Sequence, residues 1–431
     1  MRLLQIGLFA VLVFAIAAHG AVEDWSRSVL ETSAGFLFVL WAVRAYLTRD
    51  EDVLISPILP PLLALCLLAL SQILFRGTVS VYATRSELQL LVAVTLLLFI
   101  ATQAFRTRDD WRFFVWFVMS FGFVVAIFGI LQHLTFNGKL YWFREMRYGG
   151  IPFGPYVNRN HFAGFAELVI PIALVPLVLG KVRRERWFLV GLLALFPLGA
   201  LFLSSSRGGI VSFAAELAVL ALLVILRRAG GKHVLAGAVV LLLAFMLVSW
   251  LGTRQILERF SSMQSLEVTS GKRASMRLDT WHMFRDHPWT GSGLGTLQIV
   301  FPAYETLYDA KIVNHAHNDY LEALAETGIV GAACCAWFVG ALFFHSLRRL
   351  LLKDKSFSAA LHLSGLVACT GFLVHSLVDF NLHIPGNALL FFLMAQLATA
   401  EISNSVPPPL PRHHDRHHQP VLTENYSLTR P

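Results

Sequence analysis

Leu90-Leu91-Val92-Ala93-Val94-Thr95-Leu96-Leu97-Leu98-Phe99-Ile100-Ala101 carries no charge and one hydroxyl, and it lies at the centre of an apolar run over 88–105. A helix needs roughly 20 such residues to cross about 30 Å of hydrocarbon, so this stretch reads as a membrane span. Working outward, eleven more runs of the same kind follow from the sequence: 3–19, 29–47, 53–74, 111–134, 162–180, 187–203, 208–226, 233–252, 328–347, 359–378 and 384–401. The composition agrees. Hydrophobic residues make up 56% of the 431 and charged residues only 14%, a balance that excludes a soluble globular domain. The fold class is an all-α polytopic membrane protein of about 12 transmembrane helices. The first run, with Arg2 before its apolar core and Ala18-His19-Gly20-Ala21 after it, also has the form of a cleavable signal peptide; its long core and the spans that follow favour a retained helix.

Cys66, Cys334, Cys335 and Cys369 all fall inside apolar runs, where cysteine packs as a small hydrophobe, so neither a disulfide nor a metal site is expected. Basic residues set the orientation. With the N-terminus inside, the inner connections carry Arg44 and Arg49; Arg106, Arg108 and Arg112; Lys181, Arg183, Arg184 and Arg186; Arg227, Arg228 and Lys232; and Arg348, Arg349, Lys353 and Lys355. These connections are short and basic, as the positive-inside rule requires. The formal charge of +8 is therefore a topology signal spread over many loops, which gives no support to nucleic acid as a partner.

The chain divides accordingly into nine spans over 1–252, a long polar outer segment over 253–327, three spans over 328–401 and a tail over 402–431. The tail, with Pro407-Pro408-Pro409 and the histidine-rich 412–418, is disordered by composition and is placed on the inner side. The third outer loop, about 135–161, holds Lys139, Arg144, Arg147, Gly149 and Gly150, then Asn158-Arg159-Asn160-His161 before a new span. That last group is either a helix cap or an anion or sugar site including Arg159. At the next outer turn, Ser204-Ser205-Ser206-Arg207-Gly208-Gly209 combines hydroxyls, glycines and a helix N-terminus, which suits a phosphate.

The long segment is polar from Arg254 to Ser275. It then places Arg277 and Trp281 four apart on one helix face. Gly291-Ser292-Gly293-Leu294-Gly295 lacks the full spacing and the strand context of a dinucleotide fingerprint. The segment closes on His315-Ala316-His317-Asn318-Asp319-Tyr320-Leu321, where Asn318 is a helix N-cap and Asp319 and Glu322 occupy the first turn. Of the two histidines, His317 is the catalytic candidate and His315 a supporting one. The last outer turn, 375–385, sets His375 and Asp379 four apart at the membrane face, and Glu216 lies deep in a span; ionisable groups at such depths usually face a polar cavity.

Taken together, Ser204-Ser205-Ser206-Arg207-Gly208-Gly209, Arg277-x-x-x-Trp281, and His317-Asn318-x-x-Leu321 followed by Gly328-x-x-Gly331 resemble the O-antigen ligase and O-antigen polymerase superfamily. The resemblance runs from the third outer loop to the last span. It implies a GT-C-like membrane glycosyltransferase in the bacterial inner membrane, with its active site and the segment 253–327 facing the periplasm. It also implies transfer of a glycan from a polyprenyl-diphosphate carrier to a lipid A core or a growing polysaccharide, with no cofactor and no metal. On the same ground His317 is the base, Arg207 and Arg277 are the diphosphate ligands, and Arg159, His315, Asn318, His375 and Asp379 are supporting candidates.

The chemistry is consistent with this implied set. Guanidinium groups bind diphosphate bidentately, and an imidazole titrates near working pH. Two other classes stay open on the sequence. One is a metal-dependent glycosyltransferase using Glu23-Asp24; the other is a transporter or flippase of lipid-linked oligosaccharide, for which internal repeats and polar groups at the midplane are expected. The last outer turn, Asp379-Phe380-Asn381-Leu382-His383-Ile384-Pro385, differs from the Glu-Tyr-Pro type of protein-glycosylating relatives, which disfavours a protein acceptor.

Overall fold

The computed structural model describes residues 1–48, 52–146, 150–227, 230–235, 237–243, 245–246, 264–307, 312–351 and 357–402. Arg49, Arg147, Gly149, Arg228, Arg254, Lys353, Lys355 and the tail beyond Ile402 lie outside the described residues. Those described form helices, three short 3-10 turns and two isolated β-bridges, Leu140 with Arg144 and Phe153 with Tyr156.

In chain order the helices are α1 (Arg2–Ala17), α2 (Asp24–Thr48), α3 (Leu59–Leu74), α4 (Val81–Ala104), α5 (Arg108–Leu134), α6 (Arg159–Val178), α7 (Trp187–Ser204), α8 (Arg207–Arg227), α9 (Gly231–Leu243), α10 (Gln264–Asp286), α11 (Leu297–Val300), α12 (Asp319–Leu351), α13 (Phe357–His375) and α14 (Pro385–Thr399). Eight of them, α2, α4, α5, α6, α7, α8, α12 and α13, are long and apolar enough to cross a membrane. The other four apolar runs of the sequence form α1, α3, α9 and α14, which have only 10–17 residues. Several helices start earlier than the apolar runs because polar caps extend them. Ser80 accepts the Ala83 N–H ahead of α4, Thr107 and Asp110 form a capping box on α5, and Asn158 caps α6 by accepting the Asn160 N–H at 2.9 Å.

α6 is the centre of the bundle. Nearly every residue from His161 to Val178 is buried, and the helix packs on α5, α7, α8 and α13. Small residues permit the close approach: Gly122 of α5 abuts Val169, and Gly209 of α8 abuts Ala163. Apolar contact alone gives such helices little mutual preference in lipid, so this shape matching largely selects the neighbours.

The described part of the long polar segment is tied to α12. Met283 and Phe284 of α10 pack on Ala325, while Glu326 accepts the Gly295 N–H through Oε2 and the Leu297 N–H through Oε1, both at 2.8 Å. The glycine run of 291–295 thus cradles a carboxylate of its own chain. α12 is two helical segments that meet at a kink, where Gly328 leaves the helical conformation (φ 63°, ψ −165°) between the polar start at Asp319 and the expected span. A side chain there would meet the Trp289 carbonyl carbon at 2.3 Å, so both backbone conformation and space demand glycine.

Candidate active site

Asp379, in the turn between α13 and α14, is 1% exposed and organises one wall of the site. Its Oδ1 lies 3.3 Å from His317 Nδ1 and accepts the Phe380 N–H at 3.0 Å; its Oδ2 accepts the Asn160 amide at 2.6 Å. Burial alone would raise this carboxyl. The His317 hydrogen bond and the charges of His161, His317 and His375 outweigh it and hold Asp379 well below the usual carboxylate range. A carboxylate acceptor at Nδ1 fixes the tautomer that carries its proton there, which leaves Nε2 of His317 with the lone pair. His317 has φ +50°, a left-handed conformation uncommon for a non-glycine residue, and its ring packs edge-on to Phe380 at 5.0 Å.

Two adjacent cavities meet at this wall. The larger, about 790 Å³, is lined among others by Asn160, Arg159, Arg273, His315, Glu322 and Phe380. The smaller, about 460 Å³, is lined among others by Arg159, Asn160, Arg207, Arg273, His375 and Asp379. Arg159, Asn160 and Arg273 border both. His317 is not itself a lining residue; it reaches the smaller cavity through Asp379 and the larger through Phe380. Residues from the first turns of α6 and α8, from α10 and from the α13–α14 turn therefore converge, although they are scattered along the sequence.

The remaining candidates fall as follows. Arg207 is exposed and lines the smaller cavity from the first turn of α8. Arg277 is exposed on α10 and lines neither cavity; Arg273, one turn earlier on the same face, lines both. Arg273 belongs to no motif in the sequence, and its only signal is the i, i+4 relation to Arg277 on one helix face. Asn318 caps α12 by accepting the Leu321 N–H at 3.0 Å, as expected, and its amide donates to the Leu377 carbonyl at 3.0 Å. His375 pairs with buried Glu167, Nδ1 to Oε1 at 2.9 Å, while Glu216 is buried on α8 against Gly371.

Asp319 and Glu322 do more than complement the helix dipole. Asp319 Oδ1 is 2.8 Å from His383 Nδ1, and Glu322 Oε1 is 2.8 Å from His315 Nδ1 and 3.3 Å from His383 Nε2. Burial disfavours charge on His383, but the charges of Glu322 and Asp319 and the Asp319 hydrogen bond outweigh it and raise the imidazole well above its usual range. Ligand atoms of His315, Glu322 and His383 lie within 4.8 Å of one another, a set a divalent ion would accept. An ion held by His383 Nε2 would have to displace a proton on that nitrogen, which Glu322 at 3.3 Å favours. Glu23, half of the acidic pair read as a rival metal site, is instead joined to Arg144 and accepts the Trp25 indole N–H at 2.7 Å; the Arg144 hydrogen bond lowers its carboxyl.

Residues 192–336 match the family model described as O-antigen ligase. The match covers about a third of the chain, from α7 to the middle of α12, and contains Arg207, Arg273, Arg277 and His317. It supports an enzyme of the O-antigen ligase and polymerase type, acting in glycan transfer. A comparison with curated proteins finds no match.

Proposed function

We propose that this chain, whose segment 192–336 belongs to the O-antigen ligase family, moves a glycan from a polyprenyl-diphosphate carrier to a sugar hydroxyl at the periplasmic face of a bacterial inner membrane. The observation that carries the reading is the position of Asp379. It is bonded to His317 and lines the cavity that Arg159, Arg207 and Arg273 also line.

In this mechanism the acceptor O–H gives its proton to His317 Nε2 while its oxygen bonds to the anomeric carbon. The bond from that carbon to the diphosphate oxygen breaks in the same step, and its electron pair leaves with the lipid diphosphate. Asp379 stabilises the imidazolium that forms. Arg207 and the α10 face carrying Arg273 and Arg277 bind the diphosphate, whose negative charge grows as the bond breaks; guanidinium groups in a partly dehydrated site supply the neutralisation a divalent ion supplies elsewhere. Arg159 bridges donor and acceptor halves in this reading, which its lining of both cavities supports. A single displacement inverts the anomeric configuration.

Purified protein given labelled lipid-linked donor and acceptor tests this directly. The product is expected to be inverted and the rate insensitive to chelators; retention, or loss of transfer on chelation, would overturn the mechanism. The acceptor follows from the surface glycan of a deletion strain: glycan lost altogether from lipid A marks a ligase, and collapse to one repeat marks a polymerase.

A further inference from the structure

At the opposite end of the bundle lies a second basic cavity, apart from the two that Arg159 and Arg273 line. α5 begins and α6 ends there, whereas α5 ends and α6 begins at the His317 side. The cavity holds about 350 Å³ and, among the described residues, is lined by five cationic side chains, Arg108, Arg112, Lys181, Arg183 and Arg186, and by no carboxylate. Topology alone explains cations on this side of the membrane but not their convergence on one hollow.

Below the cations the walls become apolar. Val115, Trp116 and Met119 of α5 face Ile172 and Pro176 of α6, so the hollow continues down into the spanning part of the helices. Aromatic rings hold the guanidinium groups: Arg108 and Arg112 sit 5.8 and 5.5 Å from the Phe357 centroid, and Arg186 sits 5.6 Å from Trp116. Arg108 Nε is buried with no hydrogen-bond partner among the described residues, a donor left waiting for an acceptor. Asp109 engages Arg112 at 3.1 Å, but this exposed pair is weak, and no other carboxylate among the described residues is paired with the five cations.

We infer that this cavity binds the phosphate of an anionic glycerophospholipid, with the headgroup among the five cations and an acyl chain along the α5–α6 wall. A cationic mouth above an apolar floor matches an amphiphile with a phosphate head, and the volume suits a headgroup, near the lower end of roughly 300–1,000 Å³ for small-molecule cavities. The site is independent of the glycan-transfer reading and does not need it.

Native mass spectrometry of the full chain in a non-ionic detergent tests the assignment, with phosphatidylglycerol, phosphatidylcholine or inorganic phosphate added separately. Phosphatidylglycerol is expected to stay bound where phosphatidylcholine is stripped, and excess phosphate to leave it in place. The double substitution Arg112→Gln with Arg186→Gln, two exposed positions, should lower retention on the order of 30-fold, from roughly five- to sixfold per cation near an anionic headgroup. Equal retention of the two lipids, or retention unchanged in the double variant, would overturn the proposal; displacement by phosphate alone would reassign the cavity to a free anion. A photoactivatable phosphatidylglycerol read by peptide mapping of the unmodified protein gives a second measure, with label expected in 108–119 and 172–190; label elsewhere alone would refute it.

Discussion

Replacing Asp379 by Asn removes a charge from the wall of the site while keeping its shape. The Asn oxygen can still accept from His317 and Phe380, and the Asn160 amide can turn so that its oxygen receives the new N–H; the 2.6, 3.0 and 3.3 Å contacts all have a neutral substitute. What is lost is the carboxylate facing the imidazolium as it forms. At 3.3 Å and an effective dielectric of about 20 the Coulomb energy is about 5 kcal/mol, an upper limit. A hydrogen bond to a charged group nets about 1.5–3 kcal/mol, and this one is long, so about 2 kcal/mol is the expected loss. That corresponds to a fall in kcat of roughly 30-fold with KM for donor and acceptor little changed. Transfer of a labelled lipid-linked glycan by purified protein, with a thermal melt as control, measures it. A folded Asp379→Asn protein with kcat within about threefold of the unmodified chain would refute the dyad. Asp379→Ala should behave differently, because Asn160 and Phe380 then lose their acceptor at about 1–3 kcal/mol each, and stability falls as well as rate.

Three further outcomes follow from the geometry. Arg273→Gln should raise the KM for the donor by roughly 10- to 100-fold, the value of one charge-assisted contact of about 1.5–3 kcal/mol, and Arg277→Gln by less, since only Arg273 lines the cavities; steady-state kinetics with varied donor decides. His383 has a folded pKa raised above the unfolded value, so its contribution is complete below about pH 6.5 and is lost as pH rises through the folded value. Thermal stability should therefore fall toward alkaline pH, and the fall should be smaller in His383→Gln, as melts across pH will show. Changing Glu23 and Asp24 together to Ala should leave transfer intact and lower stability by at most about 1 kcal/mol, because the Glu23 pair with Arg144 is partly exposed.

The helices were legible because lipid imposes one requirement, an apolar run long enough to cross; among the described residues eight of the runs form helices of that length, and part of the run 233–252 lies outside the described residues. Length separates them: Leu59–Leu74 is shorter than its apolar run because the stretch 53–58, with Pro57, is not helical, and Pro385–Thr399 lies in a run of only 18 residues, 384–401. Caps were legible too, since Asn158 and Asn318 act through neighbours two or three residues away. Pairings across the bundle were not. Asp379 with Asn160, or His383 with Asp319, depends on which helix ends meet, and their separations of 219 and 64 residues leave no local trace. Arg273 illustrates the intermediate case, in which the helix face could be read but not which of its turns borders a cavity.

The most direct test is the transfer rate of His317→Ala, purified and given labelled lipid-linked donor with acceptor. A positioned general base is worth roughly 10²- to 10⁴-fold, so the rate should fall by at least about 100-fold while the donor still binds through the arginines. A His317→Ala protein that binds donor and transfers glycan at the unmodified rate would contradict the account.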